Sequence, residues 1–285
     1  MAGRIPVDLA AIRNRHPDHF GGAGGSHRKA LGLAAAAVAL LLFGLAELGF
    51  FDGKLISGVS RLGELAVLIL PPDPGGWAHA RLFTVALFET IAIALLGTLS
   101  AAVLAVPFGL LAAKNVTTAR VLHFLTRRSL DTIRSVDILV WALIWVNVVG
   151  LGPFAGALAI MTSDLGSFGK LFSEAIEAAD RRPIEGIVST GGGRVLGVRF
   201  GILPEVFPVL ASQVLYYFES NTRSATIIGI VGAGGIGLHL AEAIRTLELQ
   251  QVSFLVLLIL IAVAAIDFAS SQLRFALIGR RGSTA

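Results

Sequence analysis

The sequence predicts an all-α, polytopic membrane protein of about six transmembrane helices, and composition, apolar run length and charge distribution support this. Of the 285 residues, 55% are hydrophobic and 15% are charged, whereas soluble domains usually carry about 25% charged residues. A soluble core cannot bury that much apolar surface, so part of it must face lipid. The length suits one membrane domain rather than two.

One span is predicted before residue 82. Residues 1–30 form a polar, Gly-rich tail, and an apolar run of about 20 residues, enough to cross a bilayer, covers 30–51. We interpret it as a span rather than a signal peptide because no small-residue cleavage site follows. Residues 52–81 contain a Pro/Gly-rich break at 71–76 and are expected to form an external loop. Residues 31–81 thus form the first helix and its loop.

Three further runs lie in the middle of the chain. The run 82–113 exceeds a bilayer thickness and is expected to tilt or project, and the basic stretch 114–134 follows it. The third and fourth runs, 136–150 and 153–172, are short, and the fourth contains Asp164. Such broken segments persist at membrane depth only where other protein covers them.

The last two runs complete a topology with both termini in the cytoplasm. The fifth covers 203–231, where it includes a strand-like stretch at 226–231, and the sixth covers 252–278, leaving 279–285 as a tail. Six crossings from a cytoplasmic N-terminus leave most of the 23 Lys and Arg residues on the cytoplasmic side. This asymmetry follows the positive-inside rule.

Composition also excludes several kinds of site. The chain has no cysteine, which excludes disulfides, thiolate metal sites and a cysteine nucleophile. His16 and His19 are expected to be solvated, because nothing nearby completes a coordination set. The net charge of +4 is attributed to membrane topology rather than to nucleic-acid binding. No G-x-x-x-x-G-K-[ST] loop is present, so ATP is not expected to bind here.

The polar segment 173–202 is predicted to form two short helices outside the membrane. Pro183 suits the first turn of the second helix, and Gly191 suits the left-handed residue that follows its end. Ile184, Ile187 and Val188 give this helix a small apolar face. The alternative is a solvated connector with an incidental apolar stripe.

This segment resembles the loop of ABC importer permeases, in which a Glu, two small residues, a Gly and an Ile-x-Leu-Pro ending recur at fixed offsets. Glu185, Gly191, Leu203 and Pro204 stand at the matching offsets, and Gly186 lies beside Glu185 in the same loop. Gly186 and Ile187 depart from the two small residues, and Gly201 departs from the isoleucine. The resemblance implies a coupling loop, 173–204, that docks into a groove of an ATPase subunit.

Further stretches are similar to the phosphonate permease subfamily, and together they fall within 82–278. They are 89–98, 107–115, 134–143, 150–156, 169–177 and 218–226. The resemblance implies a type I importer fold in the bacterial inner membrane, without catalytic residues, metal or cofactor. Its implied partners are a second copy of the chain, two ATPase subunits that bind ATP and Mg, and an extracytoplasmic solute-binding protein. The implied cargo is phosphonate or a related oxyanion such as phosphate or phosphite, moved by alternating access.

Residues 232–237 spell G-x-G-x-x-G, through Gly232, Gly234 and Gly237, with Gly235 beside them. As a dinucleotide fingerprint this pattern lacks a soluble βαβ unit and the acidic residue expected about 20 positions later. In a membrane, glycines allow close backbone approach or an unwound helix. Pore lining, which the resemblance favours, and close packing both stay open.

The fifth run also places charges at membrane depth. Glu219 and Arg223 are four residues apart and share one helical face. Either they form a structural ion pair, or Arg223 lies on a polar path for an anion. The candidate path consists of Asn221, Arg223, Ser224, Thr226, Gly232, Gly234 and Gly235.

Three rival functions differ in what they require. A permease for another solute, such as methionine, would share every feature above and differ in its binding protein. An intramembrane enzyme would need a paired nucleophile and base, yet His239 is the only histidine near the later runs and no Gly-x-Ser-x-Gly elbow is present. A structural scaffold would not need the loop 173–204, and binding to an ATPase would distinguish a transporter from it.

Overall fold

The computed structural model describes residues 23–50, 54–117, 119–180 and 182–279, which divide between two compact units, 1–67 and 68–285. Every regular element within these ranges is helical. The all-α prediction is therefore confirmed for the described residues. The predicted N-terminal pair His16 and His19 and the tail 280–285 lie outside them.

Part of the predicted external loop, 52–81, is helical. Helix α1 covers Ala23–Glu47 and helix α2 covers Lys54–Ile69, so a helix occupies much of the segment 52–81. Its apolar residues recur at helical spacing, as Leu55, Val59 and Leu62 show. Among the described residues of this segment, the irregular part is limited to 70–76.

The second unit begins with the long helix α3 and ends with the long helix α10. Its helices are α3 Trp77–Ala112, α4 Arg120–Ser135, α5 Ile138–Val149, α6 Pro153–Ala178, α7 Arg182–Ser189, α8 Leu203–Ile230, α9 Ile236–Arg245 and α10 Leu249–Gly279. A single helical turn, Arg194–Leu196, and a π-helical stretch, Gly197–Ile202, lead directly into α8.

Four helical segments of the described residues are long and apolar enough to cross a bilayer. They are Lys29–Glu47, Trp77–Ala112, Gly197–Ile230 and Leu249–Ala276. Helices α4 and α5 meet at a bend of 90° and count as a fifth if they cross together. Helix α6 has 26 residues, about 39 Å at 1.5 Å per residue, which is long enough to cross a bilayer. Its polar residues make it less apolar than the four segments above.

Several local expectations need correction. The residues 173–178 continue α6 instead of forming a separate short helix, and the strand-like stretch 226–231 is mostly the end of α8. A helix satisfies its backbone polar groups internally, which a lone strand in lipid cannot do. Helices α4 and α9 lie where the sequence predicted no helix; both are amphipathic rather than uniformly apolar.

The core of the second unit forms where α3, α6 and α8 meet. A Cβ on Gly97 would lie 2.7 Å from Ile160, and one on Gly109 would lie 2.9 Å from Phe172. These glycines therefore allow α3 and α6 to approach closely, as small residues do between membrane helices. Phe168 is fully buried and stacks on Phe172, with ring centroids 5.3 Å apart. Both rings belong to α6 and fill the core beside α3 and α8.

Candidate functional site

The helix of the predicted coupling loop, α7, ends in a Schellman motif. Gly191 has a φ of +85°, as the sequence predicted. Its N–H donates to Val188 O at 3.0 Å, and the N–H of Gly192 donates to Ile187 O at 3.0 Å. These two bonds satisfy carbonyls that a helix end otherwise leaves unpaired. The end of α7 therefore depends on a glycine at position 191.

The apolar face of α7 packs against glycines in the segment that leads into α8. A Cβ on Gly197 or on Gly201 would lie 3.3 Å from the side chain of Ile184. A Cβ on Gly192 would lie 2.7 Å from Ile187 Cγ2. Ile187 and Gly201, two of the residues that depart from the family pattern, thus fit closely against their neighbours. The loop is packed rather than loose.

The opposite face of α7 is available to a partner. Glu185 and Gly186 are exposed, and open space surrounds Gly186. Val188, at the edge of the apolar face, is exposed as well. Pro204 lies in the first turn of α8. Leu203 lines an open, mainly apolar cavity of about 520 Å³ together with Val116, Val195, Val198 and Arg199.

Two glutamates that sequence reasoning missed tie the loop to the helices. Glu205 Oε1 accepts the backbone N–H of Asp180 at 2.9 Å, just before α7 begins. Glu177 Oε1, at the end of α6, accepts the N–H of Lys114 at 2.9 Å and pairs with Arg127 Nη1 at 3.2 Å. Movement of α7 would therefore be transmitted to α6 and α8, and from α6 to α4.

The glycine cluster forms the turn between α8 and α9. Gly232, Gly234 and Gly235 have φ of +96°, +83° and +75° and are buried within the protomer. A Cβ on Gly232 would overlap Leu151, and one on Gly234 would lie 2.7 Å from Pro153 N. Both the dihedral angles and the close approach require glycine here. This geometry favours close packing over pore lining for these three residues.

Helix α9 begins without a cap from its own chain segment, and α3 supplies one. Glu89 Oε1 accepts the N–H of Gly235 at 3.0 Å, and Thr90 Oγ1 accepts the N–H of Ile236 at 2.8 Å. A carboxylate at a helix N-terminus satisfies free N–H groups and is stabilised by the helix dipole. No pattern in the sequence indicates this cap beyond the presence of Glu89 in a span.

Asn221 lies in a polar junction between three helices rather than on an open surface. It is 4% exposed, and its Nδ2 donates to Thr98 Oγ1 at 2.8 Å and to Asp164 Oδ2 at 2.5 Å. Asp164 and Thr98 are also buried. The junction therefore fixes α8 against α3 and α6.

The remaining residues of the predicted path differ in how far they are exposed. Thr226 is buried and its Oγ1 donates to Thr222 O at 3.3 Å, while Ser224 is half-buried. Arg223 is half-exposed, and its Nη1 lies 3.5 Å from Glu219 Oε1. The other oxygen of Glu219, Oε2, lies 3.0 Å from Arg274 Nη2 on α10. The expected pair is thus a triad with a member that sequence reasoning missed.

Residues 105–281 match the family model described as the binding-protein-dependent transport system inner membrane component. This match covers the coupling loop, the glycine turn and the Glu219 triad. The chain belongs to this family. It is a transport subunit, and membership implies a multi-pass location in the inner membrane together with ATPase and solute-binding partners. In the described part of the chain, no group of three His, Asp or Glu residues is placed to hold a metal.

Two permeases of Stutzerimonas stutzeri are similar to this one along most of their length. PtxC, a phosphite transport system permease protein, is 32% identical over 94% of this chain and 97% of its own. HtxC is 38% identical over 78% of each chain. Among solved structures, the MetNI methionine ABC transporter in an inward-facing form has a TM-score of 0.62 at 19% identity, covering 71% of this chain and 99% of that one. At that identity the likeness shows the fold alone.

The polar junction yields a testable expectation for stability. Asn221→Leu leaves the carboxyl of Asp164 buried without its partner, which costs about 1–3 kcal/mol. Replacing both partners, as Asp164→Leu with Asn221→Leu, is expected to be milder, since the unpaired carboxyl is removed and only the hydroxyl of Thr98 loses its partner. Thermal unfolding of the purified permease in detergent measures both. Equal losses in the single and double variants would contradict the assigned pairing.

Proposed function

We propose that this permease carries a phosphorus oxyanion, such as phosphite, phosphonate or phosphate, into the cytoplasm by alternating access. The observation that carries the proposal is the similarity to the phosphite permease PtxC over nearly the whole of both chains. The likeness to the methionine transporter does not support methionine as cargo, because it extends only to the fold.

We propose that the ATPase drives transport mechanically. Helix α7, with the loop 173–204 around it, docks on an ATPase subunit through its exposed face at Glu185 and Gly186. ATP and Mg bind to that subunit, and its closure displaces α7 as a rigid body. Glu205 and Glu177 connect the ends of this loop to α8, α4 and the α3–α4 connection. Their hydrogen bonds support a lever that reorients the permease domain, 82–278.

The proposed path for the anion runs along the face of α8 that holds Arg223 and Ser224. Asn221, Thr226 and the three turn glycines Gly232, Gly234 and Gly235 support the backbone behind that face. One protomer offers half of such a path, so a second copy of the chain completes it. Co-purification of two differently tagged copies tests this pairing.

Growth on phosphite as the only phosphorus source tests the proposed cargo. A strain lacking this permease but retaining its ATPase and binding protein is expected to grow only when the permease is restored. Phosphonate and phosphate as phosphorus sources define the range of anions. Equal growth with and without the permease on all three would overturn the proposal.

The proposed orientation places α7 and both termini in the cytoplasm and residues 70–76 outside. Because the chain has no cysteine, single cysteines report their own side of the membrane. A membrane-impermeant thiol reagent applied to intact spheroplasts is expected to label Ala78→Cys, at the exposed start of α3, and not Ser189→Cys. Labelling of Ser189→Cys before lysis would reverse the orientation.

A further inference from the structure

Glu219 lies between two arginines that differ in how closely they approach it. Its side chain is 10% exposed, and Arg274 Nη2 is 3.0 Å from Oε2, whereas Arg223 Nη1 is 3.5 Å from Oε1. Arg274 is also held over the ring of Tyr216, 6.0 Å from its centroid. Arg274 is therefore the principal counter-ion of Glu219.

Glu219 takes up only part of the positive charge of Arg223 and few of its hydrogen-bond donors. The three groups together carry one net positive charge, and the side chain of Arg223 is 49% exposed. A guanidinium has five N–H donors. Within the described ranges, the one hydrogen-bond partner of Arg223 is Glu219, at 3.5 Å, the limit of hydrogen-bond length. Most of its donors are thus available to a ligand.

Arg223 is expected to face water or protein rather than lipid. It lies on a spanning helix, and a charged side chain at membrane depth faces water or protein because exposure to hydrocarbon costs several kcal/mol. Tyr216, Ser220, Arg223 and Ile227 follow one another at spacings of four, three and four, so they share one face of α8. This face combines a phenol, a hydroxyl and a free guanidinium.

We propose that Arg223 is the anion-binding group of this span and that Arg274 is a positioning residue, which neutralises Glu219 and so leaves Arg223 free. The inference rests on the proposed function. The ligand class is a tetrahedral phosphorus oxyanion, because the planar guanidinium donates two parallel N–H groups to such oxygens. Without Arg274, Glu219 would compete with the anion for Arg223.

Two double variants with the same net charge separate the two arginines. Glu219→Gln with Arg274→Gln leaves Arg223 as the one cation of the triad, whereas Glu219→Gln with Arg223→Gln leaves Arg274. ATP-dependent phosphite uptake is measured in vesicles that contain the whole transporter and its binding protein. We expect the first variant to retain uptake and the second to lose about tenfold or more, the factor for a lost hydrogen bond to a charged group. Equal uptake by the two variants would overturn the proposal.

The single variant Arg274→Gln tests the positioning role. It is expected to raise the phosphite concentration for half-maximal uptake, because Glu219 then pairs with Arg223 alone. Adding Glu219→Gln should reverse that rise, and Arg274→Lys should avoid it. A merely structural Arg274 predicts a loss of folded yield that the second substitution restores, with the half-maximal phosphite concentration of the folded transporter unchanged in Arg274→Gln. That result would refute its positioning role.

Controls separate this inference from the proposed function. Folded yield by size-exclusion chromatography accompanies each variant, and uptake is expressed per folded transporter. If the unmodified transporter takes up no phosphorus oxyanion, the proposed function itself fails. If it transports phosphite while both double variants behave alike, only the roles of Arg223 and Arg274 fail.

Discussion

Replacing Gly237 by alanine is expected to destabilise the permease severely, because no space exists for a methyl group. A Cβ at this position would overlap the carbonyl oxygen of Thr226 and lie 3.0 Å from the Cα of Gly229. These are backbone atoms of α8 and cannot rotate away, so α9 would have to move as a whole. We expect a loss of about 3 kcal/mol, at the upper end of overpacking, seen as lower folded yield and a lower melting temperature in detergent.

A matched glycine elsewhere provides the control. Gly44 lies in α1, and a Cβ added to it would have no neighbouring atom within 4 Å. Gly44→Ala is expected to be neutral or slightly stabilising, since alanine is favoured over glycine in helices by up to about 1 kcal/mol. A melting temperature for Gly237→Ala equal to that of Gly44→Ala would show that α8 and α9 do not cross as described.

Gly191→Asp is expected to reduce transport while leaving membrane insertion intact. A side chain in the left-handed conformation costs about 1–2 kcal/mol, less for Asp and Asn, but the carboxylate of Asp also lies at the negative end of the dipole of this eight-residue helix. Helices this short depend on their caps and on packing. The added charge also lies beside the surface proposed to dock on the ATPase. We expect ATP-dependent uptake to fall by about 5–30-fold, the factor that corresponds to 1–2 kcal/mol.

Two neighbouring substitutions isolate the cause of that effect. Gly193→Asp adds the same charge two residues away, in open space and without a positive φ. Gly191→Asn keeps a residue that tolerates the left-handed conformation and adds no charge. We expect both to retain most uptake. If all three variants transport as the unmodified chain does, α7 is not the coupling element.

The long apolar helices were predictable because their composition alone forces them into lipid. The runs 82–113 and 203–231 correspond closely to α3, Trp77–Ala112, and α8, Leu203–Ile230. Helices α2, α4 and α9 were missed because polar and apolar residues mix within them. Their helical character lies in the spacing of apolar residues, and the length of a continuous apolar stretch does not reveal that spacing.

The candidate sites were predictable where a single residue determines local geometry. Gly191 was identified because the end of a short helix requires a left-handed residue. Asn221 was assigned to a path but lies in a junction, because the sequence does not show which face of α8 meets α3 and α6. Arg274 was counted with the basic residues that set topology. Its role depends on a long side chain that reaches Glu219 on another helix.

Uptake by the reconstituted transporter tests the central claim most directly. The permease, its ATPase and its binding protein are placed in proteoliposomes with ATP inside, and entry of labelled phosphite is followed over time. The account predicts uptake that requires ATP and the binding protein, and that excess unlabelled phosphonate or phosphate reduces while methionine does not. Uptake of methionine with no uptake of any phosphorus oxyanion would contradict it.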